Sequence, residues 1–229
     1  MLPLPNFAKY ISRPELENQL LASLLAPSNN TTVCQGSGGV GKSQLASYII
    51  QHQNIQDHFN EIYWFGSSDV PNQLQEQFMS LAIDLNLIDR GANFVEAKEA
   101  LLKYWKEKKS RVLLIFDNAD EPKSLNAYLP IEGDVHVLIT TREPSWSNPI
   151  KIGSLDVIQG RDLVNKLLGC SNTDANNLAK FLGYLPLSIT YACAYIRREQ
   201  ISVDNFLKKL SKNSNILSQS PKLFGQVLP

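Results

Sequence analysis

The fold is decided by the stretch Gly36-Ser37-Gly38-Gly39-Val40-Gly41-Lys42-Ser43. It matches every fixed position of the pattern G-x-x-x-x-G-K-[ST], in which backbone N–H groups surround a phosphate. The apolar run Thr31–Gln35 precedes the stretch, and a segment of helical period follows it from Lys42 to Gln53. An anion held at the positive end of a helix requires this strand–loop–helix order. The stretch therefore predicts a P-loop that binds a nucleotide.

The loop and one later acidic residue carry the predicted chemistry. Lys42 is expected to bridge the β- and γ-phosphates, and the Ser43 hydroxyl is expected to bind magnesium. Asp117 closes the most apolar run of the chain, Val112–Phe116. Ligands gather at the carboxyl ends of parallel strands, so Asp117 is predicted as the second magnesium ligand and as part of the catalytic set. The alternative is that Asp117 caps the turn that follows it.

The residues at the ends of two predicted strands bear on the rate of ATP hydrolysis. A carboxylate directly after Asp117 would normally polarise the attacking water, but that position holds Asn118, so hydrolysis is expected to be slow. Asp120 either approaches the site or caps the next short helix. Thr140-Thr141-Arg142 ends another apolar strand with groups that can read a γ-phosphate. Arg142 is predicted as the sensor and third catalytic residue, and the alternative is a surface arginine paired with Glu143 or another carboxylate.

Strand-like runs alternate with longer segments of helical period, which predicts an α/β fold: a parallel sheet with helices on both faces. Buried parallel strands are apolar on both faces, so the strand that contains Val112–Phe116 is expected to be central. The predicted strands are Thr31–Gln35, Glu61–Phe65, Arg111–Asp117, Val135–Thr140 and Pro149–Ile152. One predicted helix of this part begins at Pro14. The other three span Lys42–Gln53, Pro71–Asn86 and Phe94–Lys108.

The character of the chain changes after Asp156, because only helical patterns follow. The helices predicted there are Gly160–Leu168, Asp174–Leu182, Pro186–Arg198 and Ser202–Leu210. We therefore predict a P-loop domain over residues 1–156 and a small helical domain over residues 157–229. Residues 211–229 are expected to be a loop or linker.

Composition excludes several classes of function. Lys plus Arg and Asp plus Glu both total 22, so the chain has no positive surplus for a nucleic-acid partner. Its 3 cysteines are far apart and lack metal-ligand spacing, as expected in a reducing cytosol. A charged leader and an apolar stretch of about 20 residues are also missing from the sequence. We expect a cytoplasmic protein with no membrane partner.

Taken together, the motifs resemble the NB-ARC family of STAND nucleotide-binding proteins, which includes apoptotic protease-activating factors and plant disease-resistance proteins. The resemblance covers nearly the whole chain, and the last two motifs distinguish this family from other P-loop proteins. It rests on Tyr10-Ile11-Ser12-Arg13-Pro14-Glu15, residues 36–43, residues 113–120, Thr140-Thr141-Arg142 and Gly183-Tyr184-Leu185-Pro186-Leu187.

The resemblance implies a fuller nucleotide site. Pro186 should pack on the adenine ring, although Tyr184 replaces the first leucine of that motif, and Ile11 and Arg13 should flank the nucleotide, although Ser12 replaces a usual glycine. An extra strand should separate those ending at Gln35 and Asp117, and the helices after Gly160 should form a lid. The positions expected to contact the nucleotide are Ile11, Arg13, Gly36, Gly38, Gly39, Val40, Gly41, Lys42, Ser43, Gln44 and Pro186.

The family also implies a switch that uses ATP, ADP and Mg²⁺. ADP would hold sheet domain and lid closed, and ATP would favour an open form that self-associates into a homo-oligomer, with a hinge near Ser154–Gly160. Family members continue into a winged-helix domain whose histidine contacts ADP, whereas this chain ends at Pro229. A truncated form and a minimal full-length form both remain open.

Three other readings remain. The chain could be a scaffold that retains ADP without turning over ATP. It could also be an ATPase motor of the AAA class or a phosphoryl transferase, since both would bind ATP through the same loop. Asn118 and the balanced charge argue against a motor, and no pattern for a second substrate pocket is visible. The residues do not indicate the effector, the sensor partner or the activating signal.

Overall fold

The computed structural model describes residues 10–27, 30–67, 72–108, 111–119, 122–126, 128–129 and 134–212. These residues form two compact units, one of residues 13–152 and one of residues 10–12 and 153–212. Three sequence-based predictions lie wholly or partly outside the described residues: the start of a helix at Pro71, the role of Asp120, and most of the tail. The assignment of residues 1–156 and 157–229 to two functional domains stays a prediction.

The described part of the first unit contains five strands, and every pairing between them is parallel. Their order in the sheet is β2-β3-β4-β1-β5, so β4 separates β1 from β3 and confirms the expected extra strand. Strand β3 is interior, but the middle position belongs to β4, whose seven residues are all buried. The strands are β1 Thr31–Gln35, β2 Glu61–Gly66, β3 Val112–Asp117, β4 Val135–Thr141 and β5 Ile150–Lys151.

Helices cover both faces of this sheet. One face of β3, which includes Phe116, packs in a cluster with Phe78 of α4 and Trp105 of α5. The opposite face, which includes Leu113, is equally buried, and α1 and α2 contact the sheet at β1 and β4. The helices are α1 Pro14–Leu25, α2 Lys42–Ile49, α3 Gln53–His58, α4 Asn72–Asp84, α5 Phe94–Glu107 and α6 Pro122–Asn126.

Two helix predictions were wrong at their ends. The helix predicted over Lys42–Gln53 ends at Ile49, and Gln53 is instead the first residue of α3. His52 is extended, at φ −69° and ψ 136°, and its Nδ1 accepts a hydrogen bond from Asn54 N. This N-cap starts α3, which the apolar pattern alone did not indicate. The helix predicted to reach Asn86 ends at Asp84, and Asn86 itself has a left-handed φ of 55°.

The described part of the second unit is helical, as predicted. Its first helix starts earlier than the apolar pattern indicated, because Asp156 and Gln159 form a capping box. A buried cluster that includes Leu163, Leu178 and Ile189 holds the helices together. They are α7 Val157–Leu168, α8 Asn172–Phe181, α9 Pro186–Arg198 and α10 Val203–Lys212. A role as a lid stays a prediction. Among the described residues, no helix is both long and apolar enough to cross a bilayer.

Candidate functional site

The glycine-rich loop leaves the sheet at the carboxyl end of β1. Gly36 N donates to Thr141 O at 3.1 Å, which fixes the start of the loop to the end of β4. A β-carbon at Gly36 would lie 2.2 Å from the carbonyl oxygen of Ile152, so this position has no room for a side chain. At the other end Gly41 has φ 98° and precedes the first residue of α2. Glycine is suited to that left-handed turn into the helix.

The loop lysine is held against the loop itself. Lys42 Nζ donates to Gly36 O at 2.9 Å and to Ser37 O at 3.0 Å, and the residue is only 7% exposed. A positive charge and a helix N-terminus therefore meet at one loop, as a phosphate site requires. Burial raises the pKa of the neighbouring Cys34 thiol to about 12, although the charge of Lys42 acts in the opposite direction. Cys34 is consequently a neutral core residue and no nucleophile.

The two predicted magnesium ligands come together. Ser43 Oγ donates to Asp117 Oδ1 at 2.7 Å, although the residues are 74 positions apart in sequence. The hydroxyl of Thr140, at the end of the intervening β4, donates to the same carboxylate oxygen and accepts from Asn118 N at 2.9 Å. Thr140 is completely buried. It orients Asp117, a contact that the sequence analysis did not anticipate.

This pair of oxygen donors suits magnesium. Mg²⁺ usually binds through one or two protein oxygens, with phosphates and waters as the remaining ligands. Ser43 and Asp117 supply one hydroxyl and one carboxylate at the N-terminus of α2. The described residues contain no group of three or more His, Cys, Asp or Glu that could hold a metal by themselves. One hydroxyl and one carboxylate fit a Mg²⁺ ion whose remaining ligands are phosphates and waters.

Other predicted contact residues of the first unit lie around this loop or beside α1. Val40 is buried in the loop, and Gln44 is exposed in the first turn of α2. Arg13 precedes α1, is 7% exposed, and its backbone N donates to Glu17 Oε1 at 2.6 Å. Arg142 is exposed directly after β4. The assignment of Arg13 and Arg142 to nucleotide contact stays a prediction.

The second unit holds the other two predicted contact residues. Ile11 packs against the helical core, and the preceding Tyr10 accepts a hydrogen bond at its carbonyl from Lys166 Nζ at 2.9 Å. Pro186 is the first residue of α9, where its missing N–H costs no hydrogen bond. Tyr184 before it has φ 56°, and its carbonyl accepts from Leu155 N at 3.0 Å. The contact of Pro186 with adenine stays a prediction.

A family model of known proteins covers the segments that form this site. The model of the NB-ARC domain matches residues 15–161, which is more than half of the chain. The chain belongs to the NB-ARC family. The matched range includes the whole P-loop, β3 with Asp117 and β4 with Thr140.

One curated relative supports this NB-ARC assignment. It is a nucleotide-binding leucine-rich repeat (NLR)-like protein of Hyaloscypha variabilis, 25% identical over 241 residues. The similarity covers 90% of the present chain but 24% of the relative. The NB-ARC chain therefore spans about a quarter of that protein's length.

Solved structures similar to the NB-ARC chain show the shared P-loop ATPase fold. A Walker-type ATPase of Pyrococcus abyssi has a TM-score of 0.60 at 12% identity, covering 98% of this chain and 79% of its own. The Aeropyrum pernix ORC2 protein, solved in ADPNP–ADP complexes, has a TM-score of 0.64 at 12% identity, covering 92% and 70% respectively. At such identities the likeness shows the fold alone.

Proposed function

We propose that this NB-ARC chain is a nucleotide-operated switch module that binds ADP or ATP with Mg²⁺ and hydrolyses ATP slowly. The hydrogen bond between Ser43 Oγ and Asp117 Oδ1 beside the glycine-rich loop carries the proposal. It supports the proposal because it brings together a hydroxyl and a carboxylate that could both bind the metal of a nucleotide.

Each loop residue has a distinct part in binding. The backbone N–H groups of residues 36–43 and the N-terminus of α2 would bind the phosphates, and Lys42 would contribute the balancing charge. Ser43 and Asp117 would hold Mg²⁺, which neutralises charge on the phosphates. Thr140 keeps the Asp117 carboxylate in place through its hydroxyl. Arg142, exposed at the end of β4, would contact a γ-phosphate.

Slow turnover follows from the residue after Asp117. An amide such as that of Asn118 cannot take a proton from water, so this position supplies no general base. Its backbone has φ 62° and its N–H is bonded to Thr140 Oγ1, which fixes the turn that follows β3. Bound ATP would therefore persist long enough to act as a signal, without continuous turnover.

The switch requires the two nucleotides to favour different conformations. We propose that ADP stabilises a closed arrangement with Pro186 on the base and that ATP favours an open form that self-associates in the cytoplasm. Coupling of this kind is typically worth about 1 to 3 kcal/mol. The hinge is assigned to Ser154–Gly160, directly before and within the first turn of α7.

A scaffold that retains ADP without turnover is the second candidate, and the amide of Asn118 favours it. The two readings differ only in the fate of bound ATP. The switch converts ATP to ADP over many minutes, whereas the scaffold leaves it intact.

The deciding experiment identifies the nucleotide that the protein carries. Purified protein is denatured, the released nucleotide is chromatographed, and added radiolabelled ATP is then followed in wild type and Lys42→Ala. Lys103→Ala, at an exposed position on α5, is the control for loss of a lysine. We expect stoichiometric ADP and slow hydrolysis in wild type and in Lys103→Ala, and neither in Lys42→Ala. Rapid multiple turnover that rises with protein concentration would instead indicate a motor, and absence of nucleotide binding would reject the proposal.

A further inference from the structure

The described part of the chain passes between the two compact units at two places. The first crossing lies between Ser12 and Arg13, and the second lies between Ile152 and Gly153. The first unit, residues 13–152, is therefore joined to the second unit at both of its ends. A body that is joined at both ends changes its orientation only if both connections rotate.

The residue before the second crossing is fixed to the base of the glycine-rich loop. Ile152 N donates to Gln35 O at 2.7 Å, and Ile152 is only 3% exposed. Its carbonyl oxygen occupies the space in which a β-carbon of Gly36 would lie. The backbone of Ile152 therefore belongs rigidly to the first unit, at the point where the loop leaves β1.

The chain is fixed again at Leu155, this time within the second unit. Leu155 N donates to Tyr184 O at 3.0 Å, and the leucine side chain is buried in the helical core. The capping box of α7 follows directly, and a β-carbon at Gly160 would lie 2.7 Å from the ring of Tyr184. Residues 155–160 are thus part of the second unit. Of the hinge range Ser154–Gly160 proposed above, only Ser154 precedes this fixed stretch.

The second connection therefore consists of Gly153 and Ser154, which lie between the fixed residues Ile152 and Leu155. Both connecting residues are exposed, and a β-carbon at Gly153 would meet no atom within 4 Å. Hinges are typically a few residues at the ends of elements that absorb large changes of φ and ψ, and glycine has the widest range of these angles. Gly153 and Ser154 have the position and the space that a hinge requires.

The residues before the first crossing are attached to the second unit. Tyr10 O accepts a hydrogen bond from Lys166 Nζ of α7 at 2.9 Å. The side chain of Ile11 packs against the helical core. Although Tyr10 and Lys166 are 156 positions apart in sequence, the amino-terminal segment Tyr10–Ser12 therefore belongs to the same body as the helices after Leu155.

The residue after the first crossing is fixed to the first unit. Arg13 N donates to Glu17 Oε1 at 2.6 Å, and Glu17 N donates to Arg13 O at 2.9 Å, so both backbone groups of Arg13 are tied to α1. Ser12, which is exposed, lies between the attachments of Ile11 and Arg13. The first connection is consequently a single residue long.

We propose that the two units rotate about a paired hinge formed by Gly153–Ser154 and by Ser12, with Tyr10–Ser12 moving as part of the second unit. Because each connection limits rotation at the other, the second unit is restricted to a small set of orientations. One of the connections begins at Ile152, so a change in the glycine-rich loop at Gly36 reaches the hinge through one residue. The use of this hinge rests on the proposed nucleotide switch, but its existence does not.

Pulsed electron double resonance between pairs of nitroxide labels tests the hinge in the full chain. The labels are attached to cysteines that replace exposed residues, Glu99 and Lys151 of the first unit and Val157 and Thr173 of the second. Cys170, which is half-buried, is replaced by serine, and the other two native cysteines are buried. Distances are measured without added nucleotide, with ADP and Mg²⁺, and with a non-hydrolysable ATP analogue and Mg²⁺.

The two distances within units, Glu99–Lys151 and Val157–Thr173, should have narrow distributions that are the same in all three states. The distance between units, Glu99–Thr173, should have a broader distribution or should shift between the states. A broad Glu99–Thr173 distribution that no nucleotide changes would support the hinge and contradict the switch. The hinge is overturned if this distribution is as narrow as the other two and constant in all states, or if a distance within a unit changes.

A matched pair of double variants tests the connection at Ser12. Lys166→Ala combined with Ile11→Ala removes both attachments of Tyr10–Ser12, so the Glu99–Thr173 distribution should broaden further. Lys209→Ala combined with Ile201→Ala removes an exposed lysine and an isoleucine of the same core from elsewhere in the second unit, and should leave the distribution as in wild type. Equal distributions in the two double variants, both folded by circular dichroism, would overturn the paired hinge.

Discussion

The carbonyl oxygen of Ile152 lies so close to Gly36 that a β-carbon at position 36 would be 2.2 Å from it. Ile152 also donates its N–H to Gln35 O at 2.7 Å. The residue after β5 therefore closes over the junction between β1 and the glycine-rich loop. Both partners at this junction are backbone, which cannot move aside as a flexible side chain can.

Gly36→Ala should therefore lower the free energy of unfolding by about 1 to 3 kcal/mol, because the added methyl group forces the backbone apart. Urea unfolding without nucleotide measures the change. Gly38→Ala is the matched control, since a β-carbon there meets no atom within 4 Å. Equal destabilisation of both variants would contradict the explanation by close packing at Gly36.

Thr140→Val should weaken Mg²⁺-dependent nucleotide binding. The change keeps the shape of the buried side chain but removes the hydroxyl that serves Asp117 and Asn118 N. Loss of a group that orients a metal ligand typically reduces affinity about 10- to 100-fold. Calorimetric titration with ADP in the presence and absence of Mg²⁺ separates the metal-dependent part.

Thr32→Val controls for loss of a buried hydroxyl elsewhere in the sheet. Thr32 is 3% exposed, and its Oγ1 lies 2.8 Å from Ser23 Oγ, away from Asp117. It should lose stability while keeping the Mg²⁺ dependence of ADP binding. A similar loss of Mg²⁺ dependence in both variants would show that Thr140 has no specific role at the metal site.

Glu61→Gln should destabilise the protein in a pH-dependent way. Burial raises the pKa of Glu61, but hydrogen bonds from Lys108 and Tyr63, together with the charge of Lys108, outweigh it and lower the pKa overall. A lowered folded-state pKa stabilises the fold above the unfolded value of about 4.3, and this stabilisation is lost as pH falls through the folded pKa.

At pH 7 the variant should therefore lose about 1 kcal/mol of unfolding free energy. The difference from wild type should shrink as pH falls below about 4. Denaturant unfolding across this range measures it, and Glu99→Gln, at an exposed position of α5, should change little at any pH. A difference that stays constant down to pH 3 would argue against the ionised Glu61 as its source.

Gln77→Ala should loosen the outer edge of the sheet. Gln77 Oε1 accepts from Gly66 N at 2.9 Å, and its Nε2 donates to Gly66 O at 2.9 Å, so one amide pairs both polar groups of an edge residue. Two lost hydrogen bonds should cost about 1 to 2 kcal/mol. Hydrogen exchange of the Gly66 amide should accelerate, whereas Gln75→Ala on the same helix should leave it unchanged.

Sequence reasoning identified the loop and the Ser43–Asp117 pair because their chemistry depends on residue type at fixed positions. Glycines, a lysine and a hydroxyl before a helix leave few alternatives, and a carboxylate after an apolar strand points to the carboxyl edge of a sheet. The position of β4 between β1 and β3 was implied by the family resemblance. Periodicity alone does not specify strand order.

Other features depend on contacts that a sequence pattern does not contain. The break at His52 arises from a side chain that caps the next helix, in a segment whose apolar residues continue across it. The role of Thr140 required knowing that β4 lies beside β3. Strand β5 is two residues long, Ile150–Lys151, whereas the sequence predicted a longer strand from Pro149 to Ile152.

The position of β4 also determines when the site can form during synthesis. Strand β4 lies between β1, which leads to Ser43, and β3, which ends at Asp117, but β4 follows both of them in sequence. Ile152, which packs against Gly36, is synthesised later still. At a translation rate of about 5 to 20 residues per second, roughly ten seconds separate the loop from its last partner. A nascent chain that ends before Ile152 should thus be unable to retain ADP, and nucleotide would stabilise only chains whose sheet is complete.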